Sequence, residues 1–254
     1  MIDVHCHLEQ KDYDRDRDEV IKKCMAGLKA VVNSSPYYPH FMKAVELHKK
    51  YPDFVFIALA VHPIYIEEVS HLDIEKAISF IKENKQDISA IGETGLDYYH
   101  VKDEKLRSRQ QDMLKQFIEL ANELKKPPVI HCRDAFDDCI NILESNGMKN
   151  KKVLMHLFSS KKHIKRIIDN RWSISIGPSI TMSKDIKRIA RDMPLDKIML
   201  ETDSPWFGFG KRNTPLSVRL VAEKIAETKK LGFDEVWETT AKNAVEFFGL
   251  PIKI

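Results

Sequence analysis

Short apolar runs alternate along the chain with longer stretches in which apolar residues recur every three or four positions. The short runs predict strands near 2–5, 30–34, 54–61, 88–93, 128–131, 153–156, 173–177 and 197–202. The longer stretches predict helices near 14–26, 38–50, 73–84, 105–125, 134–146, 160–170, 183–192, 216–230 and 234–248. In segment 105–125, Leu106, Met113, Leu114, Phe117, Ile118, Ala121 and Leu124 recur near helical spacing, with charged and amide residues on the other face. The run from Phe54 to Val61 is apolar on both faces, as a parallel strand covered by helices should be. Eight strands alternating with helices predict an α/β fold, a single (β/α)8 TIM barrel, rather than an open doubly wound sheet. No Gly-x-Gly-x-x-Gly follows the first strand, which counts against a dinucleotide-binding unit. With no internal repeat and no Pro/Gly-rich linker, residues 1–254 are expected to form one barrel domain.

The polar residues that matter sit where the apolar runs end. They occur in Asp3-Val4-His5-Cys6-His7, Ile91-Gly92-Glu93, Val129-Ile130-His131, Met155-His156 and Glu201-Thr202-Asp203. A parallel barrel gathers its strand ends on one face, so these scattered residues should converge there. Converging imidazoles and carboxylates make a metal site, and this number of ligands suggests two ions.

His5 and His7, at i and i+2 of a strand, point the same way and can reach one cation. Glu93, flanked by Gly92 and Gly95, is placed to bridge two. His131 and His156 stand at equivalent positions on successive strands and suit a second ion. Asp203 can be both a ligand and the group that takes a proton from an attacking water. Glu201, two residues earlier, shares its face and would orient ligands or water. Asp3 either orients a ligand or caps the start of the barrel.

A formal net charge of +3 is compatible with a phosphate-bearing substrate and is little evidence for one. The basic clusters Lys161-Lys162, Lys184/Lys187/Arg188 and Lys211-Arg212 read first as solvated surface. The four cysteines form no Cys-x-x-Cys pair, and Cys6 and Cys132 alternate away from their neighbouring histidines. They are expected to be buried, reduced thiols, so a cytoplasmic location is expected. No apolar run approaches the ~18 residues a membrane span needs, and the strand-like start leaves no room for a signal peptide.

The motifs Asp-x-His-x-His-Leu, Gly-Glu-x-Gly-Leu-Asp-Tyr-Tyr, Ile-His-x-Arg-Asp-Ala and Glu-Thr-Asp-Ser-Pro, followed by Arg-Asn-x-Pro, occur in that order. In that order the chain resembles the TatD family of metal-dependent deoxyribonucleases, one of the amidohydrolase-like barrels. The resemblance runs from Asp3 to Gly249. It implies a two-metal hydrolase of DNA phosphodiesters that needs a divalent cation, with Mg²⁺, Mn²⁺ and Zn²⁺ the candidates. It further implies that His5, His7 and Asp203 bind the first ion, that Glu93 bridges, and that His131 and His156 bind the second. The His-Pro histidine of the family, here His62, helps to hold the substrate phosphate; read from the residues, it is equally a structural histidine before a turn. The chain departs from the family pattern at Ser160, where a Gly is usual, and at Ala60, where a Gly commonly precedes the His-Pro. Both changes alter loops near substrate and neither removes a ligand.

The mechanism expected is attack of activated water on phosphorus, with Asp203 and Glu93 as the catalytic carboxylates. His62 and a nearby Arg133 or Arg212 would hold the phosphate. Tyr98, Tyr99, Trp206, Phe207 and Phe209 offer rings on which the bases of single strands or frayed ends would stack. Two rivals remain: an amidohydrolase or small-molecule phosphodiesterase, and a metal-bearing scaffold without turnover. Many amidohydrolase sites use a lysine carbamate where this chain has Glu93. The intact ligand set argues against a scaffold. DNA is the expected partner, with neither a membrane nor an obligate protein partner indicated.

Overall fold

The computed structural model describes residues 1–254. Eight parallel strands stand in sequence order around a barrel: β1 (Ile2–Cys6), β2 (Ala30–Ser35), β3 (Val55–Leu59), β4 (Ile88–Asp97), β5 (Pro128–Arg133), β6 (Leu154–Met155), β7 (Ser173–Ile176) and β8 (Ile198–Leu200). The seam closes beyond β8, where the Asp203 amide donates to the His5 carbonyl at 2.9 Å and the His7 amide to the Ser204 carbonyl at 2.8 Å. Asp3 locks the same seam, its carboxylate accepting from the Thr202 amide at 3.0 Å and hydroxyl at 2.6 Å. Seven helices lie between the strands: α1 (Arg17–Gly27), α2 (Phe41–Lys50), α3 (His71–Glu83), α4 (Glu104–Leu124), α5 (Phe136–Ser145), α6 (Ile164–Asp169) and α7 (Lys184–Asp192). Two more, α8 (Val218–Lys229) and α9 (Phe233–Phe248), follow β8. No helix is long and apolar enough to cross a membrane.

The alternation of the strands divides the apolar residues into two cores. One set, including Ile57, Ile91, Ile130 and Ile176, faces outward against the helices. The other, including Val4, Val32, Phe56, Val129 and Met199, fills the barrel interior, and Phe247, Phe248 and Leu250 at the end of α9 close it from below.

Two strands break strict alternation, and the breaks set up the site. From Asp3 to Cys6, β1 takes three steps while its partner β2, from Val31 to Asn33, takes two. The extra residue is a bulge. Val4 thus belongs to the interior plug while the next residue, His5, also turns inward, and Cys6 faces the outer core. β4 repeats the device: Ile91 to Thr94 spans three steps against two from Pro128 to Ile130. The sequence pattern ends β4 near 93 and β5 near 131. Both strands in fact continue, pairing as far as Asp97 with Arg133, so Glu93 lies within a strand. β6 is shorter than expected, ending at Met155, because His156 has already turned toward the mouth.

Candidate metal centre

The chain brings all six sequence-predicted ligands together in one cluster, all buried except the half-buried His131. His5 Nε2 lies 3.2 Å from His7 Nε2, and His7 Nε2 lies 3.0 Å from Asp203 Oδ1. Glu93 faces two ways. Its Oε2 is 3.1 Å from His5 Nε2, while its Oε1 is 2.9 Å from His131 Nδ1, 3.3 Å from His62 Nε2 and 3.5 Å from His156 Nε2. Three donor sets result, each with its donor atoms within 4.8 Å of one another: His5, His7 and Asp203; His5, Glu93 and His156; and His62, Glu93 and His131. His62, expected from the sequence at the phosphate, is thus as close to the shared carboxylate as His156 is.

Backbone geometry makes room for this cluster. A Cβ on Gly92 would lie 2.5 Å from the Val129 Cβ, and one on Gly95, whose φ is 152°, would lie 1.9 Å from the His131 carbonyl oxygen. Only glycine lets β4 approach β5 so closely at the level of Glu93. Asp203 holds a left-handed conformation with φ of 51°, which a short polar side chain tolerates and which turns the chain just past β8.

Outer carboxylates fix two of the rings. Glu201 accepts from His156 Nδ1 at 2.7 Å and from the Leu157 amide at 2.8 Å, as its position two residues before Asp203 suggested. Asp97, which the sequence reading did not single out, lies 3.0 Å from His131 Nε2. Its signal was present: four residues after Glu93 on one strand, it shares Glu93's face. Each pair is a carboxylate orienting an imidazole whose other nitrogen faces Glu93, the arrangement that holds metal-binding histidines in one tautomer.

Electrostatics reflect the crowding of imidazoles and carboxylates. Burial, together with the charge of His131, drives His62 down to about 4. Burial and the stacked His156, 3.7 Å away between ring centroids, lower His5. His156 itself, against the opposing effect of burial, is pushed up to about 10 by Glu201 and Glu93. Glu93 is held well below the usual carboxylate range: His156, His62 and His5 outweigh its burial. For Asp203 burial is likewise outweighed, chiefly by the His7 hydrogen bond. The Nδ1 atoms of His5 and His7 are buried without a hydrogen-bond partner. Converging imidazoles and carboxylates fit divalent cations, which would take the imidazoles in their neutral form, and neither His5 nor His7 is tied up in a hydrogen bond through Nδ1.

A cavity of about 650 Å³ opens over the cluster. His100 and Arg133 line it, as do Tyr65, Trp206 and Phe207. Arg133 makes no ion pair and stacks 3.9 Å over the Tyr99 ring, leaving its charge available. Arg212 behaves differently: Asp16 pairs with it at 2.7 and 2.6 Å, Tyr13 lies beneath it, and it does not line the cavity. Of the rings named from sequence, Trp206 packs 4.6 Å from His7. Tyr98 is engaged instead with Arg107 and Asp138, and Phe209 is exposed outside the cavity. Tyr65, stacked on Tyr37 at 4.4 Å, lines the wall and carried no motif. All four cysteines are buried and free; Cys6 donates to the Val32 carbonyl at 3.6 Å.

Residues 2–249 match the model of the family described as TatD related DNase. The chain belongs to the TatD family. Its relatives include the human protein named deoxyribonuclease TATDN3, 34% identical over 98% of this chain and 94% of that one. Another is an uncharacterised metal-dependent hydrolase of Methanocaldococcus jannaschii, 33% identical over 97% of this chain and 96% of that protein. The fold matches the crystal structure of the TatD homologue YJJV from Escherichia coli, with a TM-score of 0.91, 24% identity and coverage of 99% and 98%.

Proposed function

We propose that this TatD-family chain hydrolyses DNA phosphodiester bonds with the help of two divalent cations, acting on single strands or frayed ends. The observation that carries this reading is Glu93, whose two oxygens face separate imidazole groups, as a carboxylate shared between two ions must. His5, His7 and Asp203 would hold one cation, His131 and His156 the other, with Glu93 common to both. Bound there, cations of the Mg²⁺, Mn²⁺ or Zn²⁺ kind would neutralise charge building on the phosphoryl oxygens and acidify an attacking water.

The chain's own groups do the rest. Asp203, ionised and at the mouth, accepts the proton of that water. The unpaired guanidinium of Arg133 and the ring of His62 hold the phosphate. Arg212 is left out of this role, since Asp16 already neutralises it. Trp206 and Phe207 offer faces for unpaired bases, whereas a continuous duplex would keep its own bases stacked. The deoxyribonuclease names of the relatives support DNA as the substrate.

The test uses metal-stripped protein on end-labelled single- and double-stranded DNA, with Mg²⁺, Mn²⁺ or Zn²⁺ restored in turn and Asp203→Ala as control. Metal-dependent cleavage that the variant lacks is the expected result, faster on single strands. No cleavage with any metal, despite two bound ions per chain, would move the reading to a small-molecule hydrolase.

A further inference from the structure

His100 lies outside the ligand cluster, and the roles above leave it without one. It follows β4, in the turn before α4, and its side chain, 42% exposed, lines the cavity. Asp97 grips it twice, accepting from the His100 amide at 2.8 Å and facing His100 Nδ1 at 2.9 Å. With Asp97 Oδ2 against it, Nδ1 is the donor of this contact and Nε2 is turned away from the carboxylate. The same Asp97 oxygen contacts His131 Nε2 at 3.0 Å, and His131 Nδ1 faces Glu93. A hydrogen-bonded line thus runs from the shared carboxylate to a ring exposed at the cavity. Tyr99 sets that ring beside the phosphate-binding arginine: its ring meets His100 edge-on at 4.9 Å and stacks under Arg133 on its face.

Resting on the hydrolase reading above, we propose that His100 is a catalytic residue, the proton donor to the leaving oxygen of the phosphodiester. Water attacks phosphorus and its proton passes to Asp203. The bond from phosphorus to the departing nucleoside oxygen breaks, that oxygen takes the proton from His100 Nε2, and solvent returns a proton to the ring. Asp97 fixes the ring through Nδ1, and Arg133, on the other side of Tyr99, stands beside it at the cavity. An aspartate that orients an imidazole through one nitrogen and leaves the other free at the cavity is the arrangement of an acid–base histidine.

The experiment compares a thymidine dinucleotide, whose alkoxide needs a proton to leave, with a p-nitrophenyl thymidine phosphate, whose phenolate does not. His100→Gln and His100→Ala are assayed in metal-loaded enzyme, with metal content and melting temperature measured beside them. Dinucleotide kcat is expected to fall on the order of 10²-fold, the low end for a lost general acid, and aryl-ester kcat by less than about 3-fold. Added imidazole should partly restore dinucleotide hydrolysis by His100→Ala. Equal losses on both substrates with metal content unchanged, or no loss on either, would overturn the assignment and leave the hydrolase reading standing. Wild-type enzyme that cleaves the aryl ester but no dinucleotide would instead sink the DNA reading, and this proposal with it.

Discussion

Where the strands begin, Val4, Val32, Phe56, Val129 and Met199 interlock inside the barrel under Phe247 and Phe248. Where they finish, β1, β5 and β8 lead instead into His5, His131 and Asp203, with imidazole nitrogens left unpartnered in the interior. The lower end is a wholly apolar, buried plug. The upper end breaks several rules of a stable core, with buried carboxylates and stacked histidines, and is tolerated because the lower end and the helix ring hold the strands in place. In a parallel barrel, stability and chemistry are thus assigned to opposite ends of the same strands.

The sharpest way to break this comparison is to exchange the expected consequences. Asp203→Asn should reduce hydrolysis by at least about 10³-fold, since it removes the proposed proton acceptor and one of the proposed ligand charges. In chelator, its unfolding free energy should stay within about 1 kcal/mol of wild type. Phe247→Ala should do the reverse. Removing a buried ring from the plug costs about 3–5 kcal/mol by urea unfolding. Turnover per folded molecule should remain near the wild-type value. A Phe247 variant that loses activity while folded, or an Asp203 variant that unfolds, would show that the two ends are energetically joined.

The boundary between the ends can be tested at Gly92. An alanine there forces a methyl group against Val129, a member of the lower plug, directly beside Glu93 of the upper cluster. Overpacking of this kind costs about 1–3 kcal/mol. Gly92→Ala should therefore lower both melting temperature and metal affinity, the one substitution of this series expected to move both readouts. Isothermal titration with Mn²⁺ beside thermal unfolding would check it; a stable variant with weakened metal binding would mean that the bulge serves the site alone.

The contrast between the ends was largely visible in the sequence because apolar runs ending in histidine or carboxylate encode it directly. Each strand was found within a few residues, and the six residues expected as ligands lie close together, as the barrel topology requires. Local departures from period two were not visible. A bulge adds one residue without changing composition, so nothing in Val4-His5 signals that both neighbours turn inward. Strand ends were misjudged where polar residues continue a ladder: Glu93 was placed at a terminus, while Gly95 to Asp97 still pair with β5. Asp97 was legible by simple alternation from Glu93. His100 was not, since its importance depends on a turn that folds it back on Asp97.

The smallest expected effect concerns two arginines that the sequence offered as equals for holding phosphate. Arg133 continues β5 beyond His131, carries no counter-ion and lines the cavity. Arg212 belongs to the loop after β8, and Asp16 forms a two-point pair with it. A guanidinium already matched to a carboxylate must lose that partner before it can bind phosphate, whereas Arg133 only has to move on its aromatic support. Arg133→Ala should therefore raise KM for DNA about tenfold, the equivalent of ~1.4 kcal/mol, while metal content stays constant. Arg212→Ala removes a partly exposed pair and should cost at most about 1 kcal/mol of stability, with KM unchanged. Steady-state kinetics on one oligonucleotide decide it. A larger KM effect at Arg212 would mean that the loop from Phe207 to Pro215 releases Asp16 and closes over bound DNA, extending the upper end of the barrel beyond the strand ends.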